Sequence, residues 1–268
     1  MGMSEEIRVC RAVERLLKDR DENARFGDSP VDLTPPNLPE GYKVQDPLIK
    51  RYQDRGQGID GWKVGLAGKS MQQSVGIPHP IEGPILESLS HNEHVDLSNA
   101  DYVSVCLEAD GLVLLAGPIS YNEGPWTSET ARERVGSVMV AIEIADDRLS
   151  KKATFNTDGL SIANFVHNVG CVLGPSIENW QETNLAAEKL SINLNEVFIR
   201  SGTGAAVLDH PFNSVAWLAN NLGRRRHNLH KGAIVLTGCV TETIWLNEGE
   251  QMVVEAENLG RISVALRA

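Results

Sequence analysis

The chain has 268 residues, 41% of them hydrophobic, enough for one large domain, or a small one joined to a larger, around a well-buried core. A formal charge of -11 argues against nonspecific binding to nucleic acid or an anionic membrane, because phosphate contacts need clustered Lys and Arg. The four cysteines (Cys10, Cys106, Cys171, Cys239) form no CxxC pair, no apolar run is long enough to span a membrane, and MGMSEEIR has no signal-peptide core and Glu6 where a myristoylation motif needs Ser or Thr. The expectation is a cytoplasmic protein with reduced thiols.

In chain order, Glu5 to Arg25 carries an apolar stripe (Val9, Val13, Leu16, Leu17) among charges and reads as an amphipathic helix. Pro30, Pro35, Pro36 and Pro39 mark a linker, and Tyr42 to Arg55 reads as a second helix with Pro47 near its first turn. The first 60 residues therefore read as an N-terminal helical lobe, with 61–268 as the domain that carries the site. Gly58 to Gly76 holds a short strand around Trp62 to Leu66, then a helix from near Gly68. Lys63 sits between Trp62 and Val64, so it pairs with an acid, has its pKa lowered, or snorkels out of a strand end.

Tyr102 to Leu115 (YVSVCLEADGLVLL) reads as a buried strand in which Cys106, Glu108 and Asp110 share one face. Val138 to Ala145 alternates in the same way, with Glu143 as its lone charge. Carboxylates among β-branched residues are costly to bury, and three converging would repel one another unless a cation sat between them, which suggests a divalent metal. Oxygen ligands suit Mg²⁺ or Mn²⁺ rather than zinc. The alternative is that Asp110-Gly111 tips a hairpin, with Glu108 at a solvated strand end. Downstream, Leu190 to Ile199 reads as a hairpin turning near Asn195-Glu196, and Pro211 to Leu222 as a helix with Val215, Leu218 and Leu222 inward. Arg224 to Arg226 reads as a solvated helix end. Ile234 to Thr237, Gln251 to Ala256 and Ile262 to Leu266 supply closing strands, with a turn at Gly260.

Several segments, taken together and in this order, carry a resemblance. They are Val44-Gln45, GWKVGL at Gly61 to Leu66, QQxxG at Gln72 to Gly76, EGPIL at Glu82 to Leu86, AIEIADDRL at Ala141 to Leu149, VLGP at Val172 to Pro175, DHPFNSVAWLANNL at Asp209 to Leu222, and GAIVLTG at Gly232 to Gly238. The chain resembles the 2-hydroxypenta-2,4-dienoate hydratases and 4-oxalocrotonate decarboxylases of the fumarylacetoacetate hydrolase superfamily. The resemblance implies an α+β fold, a helical N-terminal lobe plus a mixed, strongly curved β-sheet domain. It further implies a Mg²⁺ or Mn²⁺ held by carboxylates that polarises a 2-oxo or 2-hydroxydienoic acid.

Residue by residue, the resemblance makes Lys63 the active-site lysine, which binds the substrate carboxylate or transfers a proton, and Glu143 a metal carboxylate. It puts Glu82 near the substrate, brings the backbone of Thr237-Gly238 to the substrate carboxylate, and makes His210-Pro211 a helix start. The family's ExE pair is missing. One register puts Cys106 and Glu108 in its places; the other puts Glu108 and Asp110 there and is preferred, because it keeps a Glu108, Asp110, Glu143 metal triad. In SIANFVHNVG the usual Asp-Asn and small hydroxyl residue are replaced by Asn164, Phe165 and His167, and the loop after Gly65 lacks the family's Thr-Ser. Asn164 is then a substrate-side residue, and His167 is either a replacement acid/base or a packed histidine. The implied activity is a metal-dependent lyase (hydratase) that hydrates a 2-hydroxy-2,4-dienoate. The alternatives are a decarboxylase of an oxalocrotonate-like diacid, a hydrolase of acylpyruvates, and a silent homologue in complex with a related enzyme. A homo-oligomer is the expected assembly. The departures near the substrate mean that the pentadienoate of aromatic compound catabolism is not assumed.

Overall fold

The computed structural model describes residues 4–26, 33–87, 89–149 and 157–268; Pro30 lies outside them. Helix α1 (Glu5–Asp21) starts at Ser4, whose hydroxyl accepts from the Ile7 N–H, and ends before Asn23, which takes a left-handed φ of 50°. It is four residues shorter than its charge pattern suggests. Helix α2 (Leu38–Asp54) starts earlier than expected, because Asn37 caps it and Pro39 falls in its first turn instead of in a linker. Pro47 consequently lies in the helix interior.

The chain then builds β1 (Ile59–Gly65), α3 (Lys69–Val75), β2 (Ile81–Leu86), β3 (Ser90–Asn92), β4 (His94–Ser98) and β5 (Val105–Leu115). After α4 (Ser128–Arg132) come β6 (Val135–Asp146), α5 (Thr157–Ala163), β7 (Asn168–Leu173), β8 (Lys189–Leu194) and β9 (Val197–Thr203). Helix α6 (Pro211–Arg224) and strands β10 (Ile234–Cys239), β11 (Ile244–Trp245), β12 (Gln251–Ala256) and β13 (Gly260–Arg267) complete it. One sheet runs β2-β1-β10-β5-β6-β7-β3, with β11 also on β5; the other runs β4-β13-β12-β8-β9. Both are mixed, with parallel pairs at β1/β10, β3/β7 and β4/β13. This is the expected α+β architecture.

Strand β5 runs unbroken through Asp110 and Gly111, paired residue by residue with β6, so the hairpin reading of Asp110-Gly111 is overturned. The β8/β9 hairpin turns at Asn195 and Glu196, both at positive φ as a tight right-twisting turn requires. His210 caps α6 through its ring nitrogen, and Pro211 takes the first helical position.

The alternation of β5 and β6 decides where the core lies. Leu107, Ala109, Ile142 and Ile144 enter the main apolar cluster, which also takes Val13, Leu16 and Leu17 of α1 and Val44 and Leu48 of α2. The N-terminal helices thus cover the same core as the sheet. The opposite face carries Cys106, Glu108, Asp110 and Glu143, then passes into a small apolar cluster of Met139, Ala141, Cys171, Ile234 and Leu236. Among the described residues no helix is long and apolar enough to cross a membrane.

Candidate active site

The polar face of β5 and β6 opens into a cavity of about 820 Å³. Lys63, Cys106, Glu108, Asp147, Ser161, His167 and Arg200 supply polar walls, and Leu38, Leu66, Met71, Ile81 and Val166 are among its apolar ones. Lys63 comes from β1, which is hydrogen-bonded on both sides, by β10 and β2. Its side chain is buried, with Nζ 2.8 Å from Glu143 Oε1. Burial alone would lower its pKa, but Glu143 and then Glu108 outweigh it and hold the ammonium above its ordinary value. The lysine therefore stays charged and does not snorkel.

Glu108 and Glu143 are direct cross-strand partners. Glu108 is half-buried, and its Oε1 accepts from the Thr243 hydroxyl at 2.6 Å. Glu143 is fully buried and also accepts from the Asn168 amide at 3.0 Å. Burial pushes the Glu143 carboxyl up, with Lys63 opposing. Asp110 lies one pleat further in, beside Ala141 of the apolar cluster, and is not on the cavity wall. Its Oδ1 accepts from the Gly238 N–H at 2.9 Å, while Oδ2 is buried without a hydrogen-bond partner among the described residues. Burial, then repulsion from Glu143, raises its pKa well above the carboxylate range. Of the preferred triad only Glu108 lines the cavity, with Cys106 beside it on β5; Glu143 is its buried cross-strand partner, and Asp110 lies one pleat further in.

The donor set nonetheless fits a divalent cation. Glu108 and Glu143 face a single ammonium, and the buried Oδ2 of Asp110 beside them has no partner among the described residues, so the group is short of one positive charge in a desolvated place. Among the described residues no three His, Cys, Asp or Glu side chains are arranged to hold a metal by themselves. Glu108 and Glu143 are the pair that would hold one, with water or substrate completing its shell.

His167 reaches the cavity by an unusual backbone path. Phe165, Val166 and His167 all have positive φ (60°, 50° and 66°), a left-handed run that costs a β-branched residue such as Val166 about 1 to 3 kcal/mol. Packing holds it in place: Phe165 is fully buried, its ring centroid 5.8 Å from that of Tyr52 and 4.7 Å from the Arg20 guanidinium. The His167 Nε2 lies 3.1 Å from the Ser161 hydroxyl, and Nδ1 lies 3.9 Å from Asp147 with no hydrogen bond. Burial lowers its pKa, with Asp147 opposing. The ring lines the cavity, while its Nδ1 is buried on the side of Asp147.

Four other expected residues lie elsewhere. Glu82 is completely buried away from the cavity, where Oε2 accepts from Tyr42 and Asn221 and Oε1 from Arg225, each at 2.6 Å. Arg225 is thus no solvated helix end; its guanidinium also covers the Tyr42 ring at 4.3 Å. Asn164 is buried and accepts from Arg20 at 2.7 Å, so it holds the left-handed run from behind instead of facing substrate. The Thr237 hydroxyl is spent on the Gly111 carbonyl, and the Gly238 N–H on Asp110. Gly238 has a φ of 120°, and a Cβ there would sit 2.4 Å from that of Ala67, so only glycine can bring that N–H to Asp110. Thr243 and Arg200 are wall residues that the sequence reading missed: each lies on or beside a short strand with no motif to flag it.

Comparison with known proteins agrees with this architecture. The chain is 28% identical to the 2-oxo-hept-4-ene-1,7-dioate hydratase of Escherichia coli over 95% of each chain. It is 25% identical to the 4-oxalocrotonate decarboxylase of Pseudomonas putida over 92% of this chain and 94% of that one. The structure of the 4-oxalocrotonate decarboxylase of Pseudomonas putida G7, complexed with magnesium and adipate, superposes with a TM-score of 0.89 at 22% identity over 99% of both chains. That of the fumarylpyruvate hydrolase of Pseudomonas aeruginosa, with Mn²⁺ and pyruvate, gives 0.61 at 14% identity, covering 77% of this chain and 88% of that one. The model of the fumarylacetoacetate hydrolase C-terminal domain matches residues 112–267, more than half the chain, and with it the chain belongs to the fumarylacetoacetate hydrolase family.

Proposed function

We propose that the protein is a divalent-metal-assisted lyase that hydrates a 2-hydroxy-2,4-dienoate-type 2-oxo acid. The observation that carries the reading is the buried Lys63–Glu143 pair beside Glu108 on the wall of a largely apolar cavity. The names of the relatives support it, since they include hydratases of 2-oxo-hept-4-ene-1,7-dioate and of 2-keto-4-pentenoate. Mg²⁺ or Mn²⁺, bound by Glu108 and Glu143, would act as a Lewis acid toward the 2-oxo acid head.

The rest of the work falls to the chain. The Lys63 ammonium, fixed by Glu143, attracts the substrate carboxylate and can hold a proton at Nζ. Thr243 orients the Glu108 carboxylate through its hydroxyl. His167, on the wall with its pKa lowered by burial and Nε2 beside the Ser161 hydroxyl, is the group suited to take a proton from water or from the 2-hydroxyl and return it to carbon. Leu66, Ile81 and Val166 exclude bulk water around the diene. Self-association in the cytoplasm is part of the reading, supported by Val197, Phe198 and Trp245, large apolar side chains that stay exposed on this single chain.

A second reading, a catalytically silent relative, is favoured by one observation: the thiol of Cys106 stands where a further carboxylate would complete the wall. Calorimetry with Mn²⁺, with and without oxalate as a mimic of the 2-oxo acid head, separates the two. The lyase reading expects oxalate to tighten Mn²⁺ binding and the loaded protein to consume 2-hydroxypenta-2,4-dienoate. No metal binding, or binding without turnover of any 2-hydroxydienoate, favours the silent reading.

A further inference from the structure

The N-terminal helices do more than cover the core, because the end of α1 reaches the segment that carries His167. Arg20, in the last turn of α1, is half-buried. Its guanidinium donates to the Tyr52 hydroxyl of α2 at 3.0 Å, to the Asn164 side-chain oxygen at 2.7 Å and, more loosely, to the Asn168 carbonyl at 3.5 Å. It also lies over the Phe165 ring at 4.7 Å and the Tyr52 ring at 5.7 Å. One side chain therefore grips both ends and the middle of 164–168, the segment whose left-handed residues bring His167 to the cavity wall. The same helix end meets the other side of the histidine. Arg148 donates to the Asp19 and Arg20 carbonyls at 3.4 Å each and to the Asp146 carboxylate at 2.7 Å. That ties α1 to the end of β6, next to Asp147, which lies 3.9 Å from His167 Nδ1.

We infer that Arg20 is a positioning residue: from the N-terminal helix α1 it holds His167 at the place on the wall from which the ring can exchange a proton with substrate. The proton exchange rests on the lyase reading above. Three consecutive residues at positive φ, one of them β-branched, persist only where their surroundings over-determine them. Arg20 supplies a charge-assisted hydrogen bond, about twice as strong as a neutral one, and a cation–aromatic contact to the same run. Glu143, by contrast, does not depend on Arg20. Asn168 donates to it at 3.0 Å, but the Lys63 ammonium at 2.8 Å is its stronger partner. Loss of Arg20 therefore displaces the histidine and leaves the Glu108–Glu143 pair in place.

The test compares wild type with Arg20→Met and Arg20→Lys. The ring signals of the seven histidines are read by heteronuclear NMR, with that of His167 identified by its loss in His167→Gln. Arg20→Met should shift or split the His167 signal, while histidines off the cavity wall, His94 and His230 among them, keep theirs. In the Mn²⁺-loaded protein it should lower kcat on 2-hydroxypenta-2,4-dienoate about tenfold to a hundredfold, with KM and Mn²⁺ affinity within about threefold of wild type. Arg20→Lys, which keeps the charge but not the planar fork, should recover part of both losses. If Arg20→Met does not fold, Asn164→Ser decides in its place, since it opens the same contact from the other side and leaves Arg20 its Tyr52 partner. An unmoved His167 signal makes Arg20 a structural residue only and overturns the inference. A displaced signal with undiminished kcat overturns it too, as does an equal loss of Mn²⁺ affinity, which would mean that the whole site had collapsed. If wild type turns over no 2-hydroxydienoate, the lyase reading fails, and the histidine spectrum alone decides whether Arg20 places His167.

Discussion

Two of the buried carboxylate clusters among the described residues, around Glu82 and around Glu143, differ in how their charge is balanced. Around Glu82, Tyr42, Asn221 and Arg225 together meet both oxygens, joining α2, β2 and α6, and none of them lines the cavity of the candidate site. Around Glu143, Glu108 and Glu143 share one ammonium, Asp110 beside them keeps an unpartnered oxygen, and a cavity opens alongside. A carboxylate with both oxygens met by two or more elements marks a fixed structural lock, because its own valences are already committed. An uncompensated deficit of positive charge marks a place built to receive something.

The sharpest way to break this contrast is Glu82→Ala. It leaves the buried Tyr42 hydroxyl and one Arg225 amino group without a partner, although Arg225 keeps Asp46, and is expected to cost about 2 to 4 kcal/mol of stability, read by denaturant unfolding, while Mn²⁺ affinity of the protein that folds stays at the wild-type level. A loss of Mn²⁺ affinity with unchanged stability would reverse the assignment of the two clusters. Glu108→Gln is the complementary change: it should weaken Mn²⁺ by about tenfold to a hundredfold in calorimetry with little effect on unfolding, since the amide oxygen can still accept from Thr243. Asp110→Asn should do much less to Mn²⁺, because Asp110 lies one pleat beneath the wall with Oδ1 held by the Gly238 N–H, and stability should change little. Metal binding that collapses in Asp110→Asn would put Asp110 back among the ligands.

Thr243→Val removes one hydrogen bond to Glu108 and should cost about 1 kcal/mol, seen as weaker oxalate-linked Mn²⁺ binding. The smallest effect is on pH. His167 is held below its ordinary pKa near 6.5, so its contribution to stability is complete above that value and declines as pH falls toward its folded pKa, where the unfolded chain takes up the proton first. His167→Gln should flatten that part of the stability profile. A profile that steepens or stays the same would mean another group titrates there.

Much of this was legible in the chain itself. Alternation along β5 and β6 put Cys106, Glu108, Asp110 and Glu143 on one face, as the structure has it, because a strand's period of two leaves no freedom once the other face must be buried. Local chemistry likewise marked the Asn195-Glu196 turn and the His210-Pro211 helix start. Lys63 next to apolar residues could be seen, but not its partner, which lies 80 positions away along the chain and three strands away across the sheet.

What sequence determined, then, is which residues share a face, since that follows from backbone periodicity alone. Only the tertiary structure decided how deep along that face each one sits and what meets it. Cys106 and Asp110 are equivalent by alternation, yet one lines the cavity and the other lies beneath it, beside Ala141 and the Gly238 N–H. Glu82 and Glu143 were both expected near the substrate or its metal, and they parted company only when distant elements packed: α6 and its C-cap brought Asn221 and Arg225 to the first, and β1 brought Lys63 to the second. Depth and partner are properties of contacts between segments remote in the chain, and no local pattern encodes them.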